Sequence, residues 1–343
     1  MKVTKKKICD LNKCYSIAPL FYKGKNHFLV AAEKHDPCYL FSEEGELLEK
    51  VWDGPGGVMT MVQVPGTDGI FLATQEFYSP NDSADAKIVI CQPSDSGWQV
   101  RTLCRAPFVH RFGILERAGI RYLIVCCLKS GHEYKEDWRS PGVVYAAVLP
   151  EDLSGFDGDH PLALRCIRAG LLKNHGYSQY RDGELETAIV GCENGILQFI
   201  PPSGPDGEWE IRTLTQDPSS DAVLMDFDKD GRPEIGSITP FHGDTLRFYH
   251  LNEEGRYVPE YEYPEKLEFL HATWACELLG KPSWIVGNRK GGRKSMVITR
   301  EEDGYHFEVF ETGCGAANAF VQENGTLILT NRETDEVAMY RFE

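Results

Sequence analysis

The sequence predicts an all-β chain folded as a seven-bladed β-propeller, closed by an N-terminal strand in the last blade. Three observations predict it. Apolar runs of about four to eight residues alternate with Gly, Pro, Asn and Asp clusters, and helical periodicity is hard to find. These runs recur as four-stranded units of about 45 residues, the period and strand count of propeller blades. The seventh unit has three strands, while "KVTKKKICD" precedes unit one without a unit of its own.

The units follow in order, as one domain over 1–343. Approximately 11–52 runs from "CYSIAPLFYKGKNHFLVAAE" through "CYLFSEEGELLEKVW", and 53–105 from "GGVMTMVQV" to "WQVRTLC". Then come 106–169, with "FVHRFGILE" and "RYLIVCCLK", and 170–216, with "NHGYSQY" and "ETAIVGCE". The remaining three are 217–266 ("SDAVLMDFD", "PEIGSITP"), 267–312 ("LHATWACEL", "PSWIVGNR") and 313–343 ("AANAFVQ", "TLILTNR", "EVAMYRFE") plus 2–10. Pairing "KVTKKKICD" outside "EVAMYRFE" removes a sheet edge.

Composition narrows the function. With 36 basic and 52 acidic residues, the chain carries a formal charge of −16, which argues against a phosphate-binding surface and so against nucleic acid. No stretch approaches the roughly 18 apolar residues of a membrane span, and no apolar segment follows the N-terminal lysines as in a secretory signal. The 11 cysteines, odd in number and mostly inside apolar runs, read as buried thiols of a reducing compartment, hence a cytoplasmic protein.

"DFDKDGRPE" places Asp226, Asp228 and Asp230 at alternate positions, then Gly231 and Glu234. Alternating carboxylates on a tight glycine-containing loop offer oxygen ligands to a hard cation such as calcium, as a structural staple. The alternative is a metal-free turn held by Asx hydrogen bonds. The pattern resembles the FG-GAP or VCBS-type repeat of propeller proteins, where D-x-D-x-D-G joins the first two strands of a blade. That resemblance implies a calcium loop in one blade of seven.

Aligning the units puts Gly57, His110, His175, Asp221, His271 and Asn318 near the start of successive first strands, which line a propeller's channel. The ends of the second strands, which meet the same mouth, carry Lys129 and His132, then His242, then Arg289, then Arg332. Each of these residues alone reads more simply as a core histidine or a surface ion pair. Together they suggest a site, because ionisable groups facing a narrow channel are costly unless water or a ligand satisfies them.

Imidazoles of His110, His175 and His271, with Asp221, suit a divalent transition metal (Zn, Mn, Fe or Ni) acting as a Lewis acid on a carbonyl or carboxylate oxygen. Lys129, Arg289 and Arg332 would hold an anionic or hydroxyl-rich ligand, and His132 or His242 would take a proton α to the polarised carbonyl. The polar insert "GHEYKEDW" adds Tyr134 and Trp138 as stacking surfaces for a sugar ring.

The blade pattern is similar to the propeller portion of aldos-2-ulose dehydratases and to metal-dependent propeller lyases such as oligogalacturonate lyases. This likeness implies a lyase, dehydratase or isomerase acting on a small keto-sugar or uronate. There is no GxSxG elbow, HExxH pair or Walker loop. The rival expectation is a non-catalytic scaffold for protein or glycan, lacking a transition metal and exposing an apolar patch.

Overall fold

The computed structural model describes residues 2–134 and 136–343. Among them the strands form seven sheets of four antiparallel strands, each following chain order from the axis outward except the last. Blade 1 comprises Cys14–Tyr22, Lys25–Ala32, Cys38–Ser42 and Leu47–Trp52; blade 2, Met61–Gln63, Phe71–Gln75, Lys87–Ser94 and Gly97–Arg105. Blade 3 comprises Val109–Arg117, Ile120–Cys127, Gly142–Val148 and Arg165–Leu171; blade 4, Gly176–Asp182, Leu185–Cys192, Gly195–Ile200 and Glu210–Thr215. Blade 5 comprises Asp221–Met225, Glu234–Thr239, Thr245–Leu251 and Tyr257–Glu262; blade 6, Leu270–Leu278, Lys281–Asn288, Ser295–Glu301 and Gly304–Glu311. Blade 7 is built from Asn318–Val321, Leu327–Asn331 and Glu336–Phe342, with Val3–Asp10 as its outer strand.

Burial follows the radius. Second strands are the most continuously apolar because sheets pack on both of their faces, as in Phe28–Ala32, Leu123–Cys127 and Trp284–Val286. Outer strands such as Arg165–Leu171 are largely exposed. Adjacent blades interlock through apolar clusters, one joining blades 5 and 6 through Val223, Phe248 and Trp284. All 11 cysteines are unpaired, eight of them buried.

Blade 7 closes the ring as the strand count predicts. Val3 pairs with Phe342 and Asp10 with Glu336, and Lys5 adds ion pairs to Glu311 (2.9 Å) and Glu336 (2.7 Å). At the start of blade 2 stands Gly57, with φ +73° and its amide bonded to the Lys34 carbonyl at 2.8 Å. A Cβ there would lie 2.4 Å from the Phe77 nitrogen and 2.7 Å from that of Glu76. Both the left-handed backbone and the clash with rigid main chain oppose any side chain. Gly57→Ala should therefore cost on the order of 2 kcal/mol or more, read as a lower urea midpoint at unchanged slope.

Candidate functional site: a histidine cluster on the propeller axis

The axial side chains are aimed by one backbone device. In blades 1, 3 and 6 the ladder between first and second strands slips at Cys14/Ser16, Val109/Arg111 and Leu270/Ala272. Tyr15, His110 and His271 are the residues left over, and a bulge re-aims such a residue out of the ladder. Two positions earlier each chain turns through a left-handed residue: Lys13 (φ 50°), Phe108 (62°) and Phe269 (61°). Blade 4 uses the same turn at Lys173 (51°) to deliver His175 just ahead of its first strand.

These side chains meet. The rings of His110 and His175 lie 4.2 Å apart between centroids, His175 and His242 4.7 Å, and His271 is 5.5 Å from both His175 and His242. His110, His175, His271 and Asp221 are each at most 3% exposed. One nitrogen from each of His175, His242 and His271 falls in a group spanning no more than 4.8 Å. The Nε2 atoms of His175 and His242 are 3.1 Å apart, close to the ~3.3 Å edge of a tetrahedral zinc–imidazole site.

The back of each ring is tied down. His271 Nδ1 is 2.8 Å from the Ala317 carbonyl, and His110 Nδ1 is 3.1 Å from the His175 carbonyl. A carbonyl only accepts, so both rings carry their proton on Nδ1 and keep the Nε2 lone pair toward the axis. His175 Nδ1 lies 2.9 Å from Asp221 Oδ2, which also accepts from Ser220 Oγ at 2.9 Å. This is the carboxylate–histidine arrangement found behind metal-binding imidazoles. Asp221 therefore stands behind the His175 ring, on its Nδ1 side. Tyr15 fills the blade 1 position, its hydroxyl 2.9 Å from His271 Nε2 and 3.5 Å from His110 Nε2.

Burial, reinforced by neighbouring histidines and by Arg111 and Arg289, holds the pKa values of His110, His242 and His271 far below their ordinary 6.5. Burial opposes ionisation of Asp221, but the contact with His175 and the charge of Arg111 keep its pKa below the usual carboxylate value. Burial pushes the Tyr15 phenol up to about 12, so it stays protonated.

The sign for stability follows from the lowered histidines. The unfolded chain takes up protons below about pH 6.5 that the folded protein refuses, so stability rises with pH through that window. Metal-free protein should hold its melting temperature above pH 7 and lose it progressively as pH falls below 6.5. A flat profile from pH 7 to 5 would contradict this burial of neutral imidazoles.

The other predicted residues stand around the mouth with partners of their own. His242, left-handed at φ 48°, is stacked between Phe241 (4.1 Å) and Phe269 (4.3 Å). Lys129 is buried, donating to Asn81 Oδ1 (2.7 Å) and the Asp137 carbonyl (2.6 Å) beneath the Trp138 ring. Trp138 also packs edge-on against Phe241 at 5.2 Å, so the insert of blade 3 reaches the mouth. His132 and Tyr134 are exposed on that insert, His132 edge-on to Phe108 and Tyr134 under Arg139. Arg289 and Arg332 share Glu333 (2.8 and 2.9 Å), and Arg332 also pairs with Glu33. They brace the rim, with Arg289 4.9 Å over the Phe269 ring on which His242 stacks.

Asp226, Asp228 and Asp230 lie at the far end of the blade 5 hairpin, where Met225 pairs with Glu234, while Asp221 and Ile238 mark the axial end. Their carboxylates form a second close group and accept from the Asp230, Gly231 and Arg232 amides. Glu234 accepts from the Phe227 amide, and burial, with Asp228 and Asp226 nearby, raises its pKa to about 7. A surface cavity of about 550 Å³ lies apart from the histidines, on blade 2 beside Glu76, Tyr78 and Arg105.

Sequence reading missed Tyr15 and Arg111. The signal for Tyr15 was present, since "NKCYS" matches "PFVHR" and "EFLHA" once tyrosine is allowed in the histidine position.

No family model matches the sequence, and no curated protein matches it. Solved structures do. A catalytically inactive histidine-to-alanine variant of virginiamycin B lyase from Staphylococcus aureus, with quinupristin, superimposes at a TM-score of 0.63 with 13% identity over 100% of this chain and 99% of that one. The WD40 propeller of Doa1 gives 0.64 and 12% over 100% and 98%, and a glucose dehydrogenase 0.55 and 14% over 99% of each. The likeness is one of propeller fold, shared by a lyase, a dehydrogenase and a WD40 domain.

Proposed function

We propose that the axial mouth is the site of a metal-assisted lyase acting on a small hydroxylated carbonyl or carboxylate compound, a keto-sugar or uronate. The observation that carries this reading is the convergence of His175, His242 and His271 nitrogens, with the Nδ1 atoms of His175 and His271 tied from behind. The donor set fits the group, because neutral imidazoles suit a borderline divalent ion such as zinc. Such an ion would polarise the substrate's carbonyl or carboxylate oxygen and acidify the neighbouring C–H bond.

His110 lies outside the three-nitrogen group with its Nε2 lone pair toward the axis and only a long contact to the Tyr15 hydroxyl, so it is the base that takes the α-proton. The C–H electron pair becomes the new C=C bond and expels the β-oxygen substituent. Tyr15 stays protonated; its O–H donates to His271 Nε2 here, and it would donate to that leaving oxygen once His271 Nε2 is given over to an ion. The lyase among the structural neighbours, inactive once a histidine is replaced, is consistent with histidine chemistry on this fold, by analogy.

The test is elemental analysis of untagged protein beside a His175→Ala/His242→Ala/His271→Ala variant. Keto-sugars and uronates are then screened for the ultraviolet absorbance of a new conjugated double bond. About one transition ion per chain, lost in the variant, and metal-dependent absorbance are expected. No transition ion and no turnover would leave a binding scaffold as the reading.

The Asp226–Asp228–Asp230 group is read as a structural site for a hard cation such as calcium, which would add to Arg300 in offsetting the negative charge that, after burial, raises Glu234. Calcium should raise the melting temperature of the wild type and leave Asp228→Asn unchanged. Equal responses would remove this assignment.

A further inference from the structure

Arg111 is the residue that neither the metal group nor the rim accounts for. It follows His110 on the first strand of blade 3 and is 8% exposed. Its Nη1 donates to the Met59 carbonyl of blade 2 at 2.6 Å, and its Nη2 lies 3.4 Å from Asn318 Oδ1 of blade 7. Its guanidinium carbon also lies 5.9 Å from the Tyr15 ring centre of blade 1. Blades 3 and 7 are not neighbours in the ring. A side chain touching blades 2, 1 and 7 from blade 3 has its guanidinium in the channel itself, beside the Tyr15 ring whose hydroxyl meets His271.

The charge there has no direct ion-pair partner among the described residues. A guanidinium has five N–H donors, and only two have acceptors here, both neutral. No carboxylate of a described residue lies within ion-pair distance of it. Asp221 gains from its charge without pairing with it: its Oδ2 is committed to His175 and Ser220, and its Oδ1 is buried without a hydrogen bond. Burying a cation against neutral oxygens is costly unless a mobile anion completes the site, and the planar fork of arginine matches a carboxylate with two parallel bonds.

We infer that Arg111 anchors the substrate's carboxylate inside the channel, making the substrate a sugar acid and not a neutral keto-sugar. This rests on the lyase reading for the word substrate, but the anchor itself depends only on Arg111. It orients the acid so that its reactive carbon faces the histidines. Arg111 is thus a specificity-determining residue of the channel.

The test is calorimetric titration of the full chain at constant ionic strength with galacturonate, galactose and acetate. Each is run on chelator-treated and zinc-loaded protein, for wild type, Arg111→Gln and Arg111→Lys. Wild type is expected to bind galacturonate at least ~10-fold more tightly than galactose. Acetate should compete with galacturonate. Arg111→Gln should abolish the preference, and Arg111→Lys, which keeps charge and loses the fork, should reduce it.

Arg111→Gln loses the charge that favours ionised Asp221 but keeps an amide able to donate to the Met59 carbonyl, so it is expected to fold with a lower melting temperature. Should it fail to fold, Arg111→Lys decides the matter. Equal binding of acid and neutral sugar by wild type, or a preference untouched by the folded variants, overturns the anchor. Absence of bound zinc with the preference intact would overturn the metal reading above and leave the anchor standing.

Discussion

Alanine at His271 should release the transition ion and lower turnover at least ~100-fold, with little change in melting temperature. The imidazole supplies one of three nitrogens that lie within 4.8 Å of one another. Two nitrogens and water hold a divalent ion far less well than three. The fold should survive, because His271 sits in a bulge outside the ladder, and Leu270 and Ala272 keep their partners Asn288 and Gly287. Asp221→Asn separates ligand from support. The amide keeps the shape but can present its NH2 to His175, removing the acceptor that orients the ring, and metal affinity should fall about 10–100-fold. Metal content by mass spectrometry, turnover and thermal melting on the same preparations check all three quantities. Full activity in metal-free His271→Ala would end the metal-assisted mechanism.

Deleting residues 2–10 should produce an even larger loss, this time of the fold. That segment is the outer strand of blade 7, paired along Glu336–Phe342, with Ile8 and Cys9 packed against a buried cluster that includes Phe28 and Met339. Its removal unpairs the edge of Glu336–Phe342 and uncovers that apolar cluster. It also strips Lys5 from Glu311 and Glu336, leaving two half-buried carboxylates side by side. We expect a melting temperature lower by roughly 10 °C or more, and aggregation through the bared edge. Supplying residues 2–10 as a peptide should recover part of the loss. A deletion variant that melts like the full chain would mean that the ring does not depend on this closure.

Much of the architecture was legible because propeller strands advertise themselves. Runs such as "YLIVCCL" are buried on both faces, turns are marked by glycine, and a missing seventh-blade strand has an orphan to match it. The axial position of His110, His175, His271 and Asp221 was legible for the same reason, since equivalent positions in equivalent blades must meet at the centre. What stayed hidden depends on contacts between blades. That Arg289 and Arg332 are both held by Glu333, or that Lys129 is covered by its own insert, follows from side-chain reach that no repeat alignment encodes. His242 joins the metal-type group because a left-handed turn after the second strand of blade 5 swings it inward. Tyr15 escaped because its blade carries a phenol where its neighbours carry imidazoles.

The left-handed turn followed by a leftover residue, used at Tyr15, His110 and His271, has an evolutionary consequence. Because that residue lies outside the ladder, its chemistry can be exchanged without disturbing the scaffold that presents it. The axis behaves as a small set of interchangeable sockets, one per blade, into which point mutation can plug an acid, a base, a ligand or nothing at all. Relatives of this chain are then expected to diverge in reaction by rewriting a few codons, while the ring around them keeps its form.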